Sequence, residues 1–136
     1  MNYLFFHPSV DTIGDLANGN KENDGLGSLL YIWSGTSTYS SLAAEIYTCS
    51  VETDCDDTIS VISLDFRFSE DNVNRTCIEG NMLTITDASV VENFNCATSN
   101  NNFTIRTLYT SSSNYITLKY TGATAGGYLW LALQCK

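Results

Sequence analysis

TISVISLDFRFSEDNVNRTCIEGNMLTITD, residues 58 to 87, is the stretch whose reading decides the fold. From Ile62 to Phe68 it alternates, with Ile62, Leu64, Phe66 and Phe68 on one side and Ser63, Asp65 and Arg67 on the other. That two-residue period is the pattern of a strand with one buried face. An acidic, Asn-rich connection with Glu70 and Asp71 follows, then Cys77, then Leu83-Thr84-Ile85-Thr86 as a second alternating run. The expected result is two sheet strands tied near one end by a cysteine.

Working outward, Leu29 to Trp33 (LLYIW) is a continuous apolar run that predicts a strand covered on both faces. Glu45 to Val51 alternates and runs into the acidic loop Glu52 to Asp57. Beyond Asp87 a loop leads to Val90-Val91 and Cys96. Phe103 to Tyr109 and Tyr115 to Tyr120 bracket Thr110-Ser111-Ser112-Ser113-Asn114 and predict a hairpin. The last run, Tyr128 to Gln134 (YLWLALQ), is apolar on both sides: Tyr128, Trp130 and Ala132 on one, Leu129, Leu131 and Leu133 on the other. The outer face of a sandwich strand normally meets water, so something is expected to cover this one. Good helix formers gather only in Ser41 to Ile46. The predicted class is all-β, a two-sheet antiparallel sandwich.

The chain has 136 residues and a formal charge of −9, from 6 Lys and Arg against 15 Asp and Glu. It is long enough for one domain with its own core. The charge argues against nucleic acid or anionic membrane as a partner, since both require clustered cations. No apolar run reaches the roughly 18 to 20 residues of a spanning helix. The start, Asn2-Tyr3-Leu4-Phe5-Phe6, lacks a basic leader and a small-residue cleavage site, so a secreted protein beginning here is a mature or trimmed form. Five cysteines, the sequons Asn74-Arg75-Thr76 and Asn102-Phe103-Thr104, and a Ser/Thr/Asn-rich surface together predict an oxidising, extracellular setting with glycan on Asn74 and Asn102.

The chain from about residue 27 to 136 resembles the CUB family of extracellular β-sandwich modules. The resemblance is carried by Phe68-Ser69-Glu70 at the end of an aromatic strand, by Cys77, and by the run from Leu83 to Ala88. It extends to Cys49, with Val51 in place of the family's Trp, to Cys96, and to Tyr115 through Gly122 with Gly127-Tyr128. It implies a jelly-roll type sandwich in which Cys77 pairs with Cys96. The family's partner for Cys49 lies upstream, where this chain has no cysteine, so Cys55 or Cys135 must substitute and one of Cys49, Cys55 and Cys135 is left over or joined to another chain. The resemblance further implies a calcium site. Glu70 matches its first carboxylate, but the second position falls near Gly80 or Asn81 and the third near Ala123. A Ca2+ ion here would have to use Glu70, Glu79 and Asp87, against the alternative of a solvated acidic turn.

No constellation points to catalysis. The single histidine, His7, sits beside the single proline in the N-terminal arm, far from the structured cleft that a Ser-His or Cys-His pair requires. Cys49 and Cys55 with Cys77 and Cys96 do not match a zinc ribbon or finger. The acids Glu52, Asp54, Asp56 and Asp57 lack the glycine and spacing of a calcium loop. The expectation is a non-enzyme.

Residues 1 to 28 read as an arm and linker, and residues 29 to 136 as the domain. In the arm, Tyr3 and Phe5 alternate with Leu4 and Phe6 and lead to Val10, giving a strand apolar on both faces that suits a slot in another sandwich. The turn dipeptides Asn18-Gly19 and Asp24-Gly25 mark the linker. Two functions follow as expectations: a fibril-type, self-assembling glycoprotein subunit whose partners are copies of itself, linked by donor-strand exchange of the arm, or a monomeric module that binds a protein or glycan.

Overall fold

A computed structural model describes residues 4–8, 21–23, 29–34, 40–53, 58–68, 77–96 and 104–135. Ten strands occur in chain order: β1 (Leu4–Pro8), β2 (Lys21–Asn23), β3 (Leu29–Trp33), β4 (Ile46–Thr53), β5 (Ile59–Arg67), β6 (Met82–Asp87), β7 (Val90–Asn95), β8 (Arg106–Thr110), β9 (Tyr115–Thr121) and β10 (Tyr128–Cys135). They form two five-stranded sheets, ordered β1-β4-β9-β6-β7 and β2-β3-β10-β5-β8, in which every pair is antiparallel. No helix occurs among the described residues, and Ser41 to Ile46 forms none. The expected all-β sandwich is the observed fold.

The core lies between the sheets. Tyr47, Val51, Leu83, Ile85, Ile116, Leu118 and Tyr120 face it from the first sheet, and Ile32, Ile59, Val61, Phe66, Leu129, Leu131 and Leu133 from the second. Each fully buried large side chain contributes roughly 1.5 to 3 kcal/mol. Phe68 anchors one end, tilted against Phe66 at 4.3 Å and edge-on to Tyr120 at 5.4 Å, while Tyr120 stacks on Tyr47 at 5.7 Å.

The phase of β5 differs from its sequence pattern. Phe66 and Phe68 are buried as expected, but Ile62 and Leu64 are only half-buried, and Ser63 lies inside. The cause is a bulge: Trp130 faces Asp65 while Leu131 faces Ser63, so Leu64 is an extra residue in the ladder. One extra residue exchanges the two faces for the remainder of the strand. Ile59, Val61 and Ser63 therefore share the inner face with Phe66, and the Ser63 hydroxyl is buried with no hydrogen-bond partner.

The predicted hairpin is not formed. β8 pairs with β5 in the second sheet and β9 with β4 and β6 in the first, so residues 111–114 cross between the sheets. After the short turn at Ala88 and Ser89, Val90 to Asn95 form an exposed edge strand that makes a hairpin with β6. The stretch expected to be arm and linker also supplies structure: β1 is the edge of the first sheet, and β2 pairs with β3 at the edge of the second.

Candidate functional site

Three places on this framework bring chemistry-bearing side chains together. The first is the crossing between the sheets. Asp87, at the end of β6, is buried, and its carboxylate accepts hydrogen bonds from Tyr109 Oη at 2.8 Å, the Ser112 N–H at 2.7 Å, Ser112 Oγ at 3.2 Å, and Ser113 Oγ. Ser111 fastens the same segment to β5: its N–H donates to Ile59 O at 2.9 Å and its Oγ accepts from the Ile59 N–H at 2.7 Å. Burial pushes the Asp87 carboxyl upward, but the donations from Ser113, Ser112 and Tyr109 outweigh it and hold the group below the usual carboxylate value of 3.8. Burial, and then the neighbouring Asp87 charge, push the Tyr109 hydroxyl up to about 12. Asp87 is thus a structural anion whose charge is consumed in joining two sheets.

The metal expectation is corrected here. Asp87 ends β6, whereas exposed Glu79 precedes it, so the two stand at opposite ends of a six-residue strand, roughly 20 Å apart at the usual rise. They cannot share an ion. Glu70 lies outside the described residues. Among those residues, no group of three His, Cys, Asp or Glu is placed to hold a metal.

The second place is where the two other positions that the CUB resemblance implies for calcium meet. Asn81 is buried, and its side-chain oxygen accepts from the N–H groups of Ala123 at 2.8 Å and Thr124 at 3.1 Å, while its amide nitrogen donates to Thr124 O at 2.8 Å. The positions converge, but the chemistry does not fit calcium, which requires several oxygens carrying negative charge. Both acceptor directions of the Asn81 oxygen are already used by the loop. An amide latch, with Gly80 at φ 86° fitting beneath Ala123, holds this turn. Beside it lies a pocket of about 180 Å³ lined by Cys77, Ile78, Glu79, Gly80, Asn95 and Cys96.

Cys77 and Cys96 are bonded, closing the open end of the β6–β7 hairpin. Cys49, one of the three cysteines of which one was expected to be left over, is a free thiol: its place on β4 faces the core, and burial pushes the thiol up to about 12. Cys55, Asn74, Asn102, Tyr3 and Val10 lie outside the described residues, as does the side chain of Cys135. His7 stands opposite Ser50 in the β1–β4 ladder.

The third place is the outer face of the second sheet. Directly opposed residues of an antiparallel pair share a face, and the register aligns Trp33, Trp130 and Asp65 across β3, β10 and β5. The neighbouring rows are Tyr31, Ala132 and Ile62 on one side and Tyr128 with Arg67 on the other. Arg67 grips Asp65 through both forks, Nε to Oδ1 and Nη2 to Oδ2, each at 2.8 Å. Its guanidinium lies 4.5 Å from the centre of the Tyr128 ring. Asp65, Arg67 and Ala132 are buried, so part of this face is covered, as β10's two apolar sides required; Trp130 remains 39% exposed. Sequence reading found Tyr128 and Trp130 but missed Trp33, Tyr31 and the ion pair, which join them only through strand order.

No protein-family model matches the chain, and no curated protein matches it significantly.

Proposed function

We propose that this chain is a non-catalytic, extracellular structural subunit of CUB-like type that self-assembles by exchanging its N-terminal strand. The observation that carries the reading is the position of β1. Leu4–Pro8 pairs with β4 alone, in a continuous register from Leu4 opposite Thr53 to Pro8 opposite Cys49, while β4 is already paired to β9 on its other side. The single chain thus places the arm on its own sheet edge rather than in an interior slot, which revises how it docks: a strand carrying proline fits an edge, where a missing N–H costs no ladder bond. Removing β1 leaves a four-stranded sheet and an open β4 edge. The same ladder forms whether the arm comes from its own domain or from a neighbour, so exchange conserves the contacts and is decided by concentration and by the connection. Residues 9–20, between β1 and β2, reach at most about 40 Å. Each copy both donates and accepts, so an exchange that does not close on itself gives a filament. The Cys77–Cys96 bond and the two sequons support an extracellular setting.

Register supplies the test. His7→Cys in one preparation and Ser50→Cys in another place thiols on opposed positions of the β1–β4 ladder. Mixed at high concentration and oxidised, the two are expected to give a heterodimer joined through residues 7 and 50, identified by peptide mass. Absence of that species, together with a monomer by light scattering, refutes the exchange.

One observation favours a second reading, a recognition module that binds a protein or glycan: the aromatic face around Trp130. Trp, Tyr and Arg are the residues enriched where surfaces bind partners.

A further inference from the structure

We propose that the outer face of the second sheet is a carbohydrate-binding platform, that it takes a neutral hexose unit of a glycan, and that Trp130 is its stacking ring. The proposal deepens the recognition reading and does not depend on strand exchange.

Three observations select this ligand. The first is ring supply. Trp130 is 39% exposed and is flanked in register by Trp33 on β3, with half-buried Tyr31 and Tyr128 in the adjoining rows. An aromatic face is electron-rich, and the axial C–H bonds of a hexose present a patch of slightly positive hydrogens of matching size. Rings fixed on paired strands lose little freedom on binding, which favours a rigid, flat ligand.

Charge is the second. Asp65 and Arg67 neutralise one another through two 2.8 Å bonds, and Arg67 is further held on the Tyr128 ring. Glu22 stands opposite Tyr31 in the same row, so the platform offers no excess of positive charge, on a chain whose formal charge is −9. Sulfated, phosphorylated or sialylated ligands are repelled at long range. A neutral ligand that combines an apolar face with a hydroxyl rim meets no such penalty.

Area is the third. A stable protein interface buries about 800 Å² on each partner. Of the described aromatic residues on this face, Trp130 is exposed while Tyr31, Trp33 and Tyr128 are half-buried, with Asp65 and Ala132 closed off beside it. A footprint centred on one indole suits a sugar ring or two and is too small for a protein.

The test uses the full chain on an array of neutral and anionic glycans, followed by calorimetric titration with the strongest neutral oligosaccharide. The expected result is binding of neutral glycans, with a change in tryptophan fluorescence. Trp130→Ala is expected to weaken affinity about tenfold or more, and Trp130→Phe less, with both variants keeping the wild-type circular dichroism and melting temperature. Preference for anionic glycans, or unchanged affinity in Trp130→Ala, overturns the platform while leaving a recognition role elsewhere on the chain. Binding of no glycan overturns the platform and confines the recognition reading to protein ligands.

Discussion

A carboxylate buried at a strand end is tolerable only if donors meet its charge, and Asp87 meets them from three residues across the sandwich. Its folded value lies below the unfolded 3.8. The sign follows: the group contributes stability above the unfolded value, and the contribution is lost as the pH falls below about 4 toward the folded value. Asp87→Asn keeps the shape but removes the charge and turns one acceptor into a donor facing other donors. We expect it to lower stability at neutral pH by about 1.5 to 3 kcal/mol, the range for hydrogen bonds to a charged group. Its melting temperature should then fall less steeply than that of the wild type between pH 5 and roughly 2. Equal slopes in a pH series of thermal melts would show that Asp87 does not carry this acid dependence. Tyr109 acts at the other extreme: with its value raised from 10.0 to about 12, it stabilises the fold below pH 10 and loses that contribution as pH rises toward 12.

Strand β5 shows what a sequence pattern can and cannot give. Its existence was legible, because alternation over Ile62 to Phe68 admits no other regular structure. Its phase was not, because a bulge at Leu64 depends on pairing with β10, which lies far away in the chain. The same limit explains the hairpin: Thr110 to Asn114 reads as a turn, but the choice between turning within a sheet and crossing to the other is made by Asp87 and Ile59. The aromatic platform is likewise assembled from three strands that are not consecutive. The Cys77–Cys96 pair, by contrast, was anticipated from the CUB resemblance. The bulge carries a cost that can be measured. It turns Ser63 into the core with an unpaired hydroxyl, and an unsatisfied buried hydroxyl costs about 1 to 3 kcal/mol, partly offset by relaxation of its surroundings. Ser63→Ala is therefore expected to be neutral or to stabilise by up to about 2 kcal/mol in chemical denaturation, contrary to the usual destabilisation by core substitution. A loss of more than about 1 kcal/mol would mean that the hydroxyl has a partner in solution.

For the whole molecule, the decisive quantity is how much of the fold resides in the arm. β1 contributes one edge ladder to a sheet whose other four strands pair without it, and the core residues of β4, Tyr47 and Val51, are fully buried between sheets that remain. Five ordered residues cost about 1 to 2 kcal/mol each in backbone entropy, which opposes what the edge ladder contributes. A small net contribution is what exchange requires, since a strand that dominated stability would leave its own domain only by unfolding it. If the proposed exchange holds, deleting Met1 to Val10 gives a chain that melts cooperatively within several degrees of the intact protein and stays monomeric at every concentration. Its bared β4 edge should still accept a synthetic peptide of residues 1–10, restoring the melting temperature of the intact chain in proportion to peptide occupancy. Two measurements decide the matter: light scattering across a hundredfold dilution, and thermal melts with and without peptide. If the deleted chain fails to fold, the arm is part of the core and exchange is ruled out as the mode of assembly; if it folds and still assembles with the same size distribution, assembly runs through another surface.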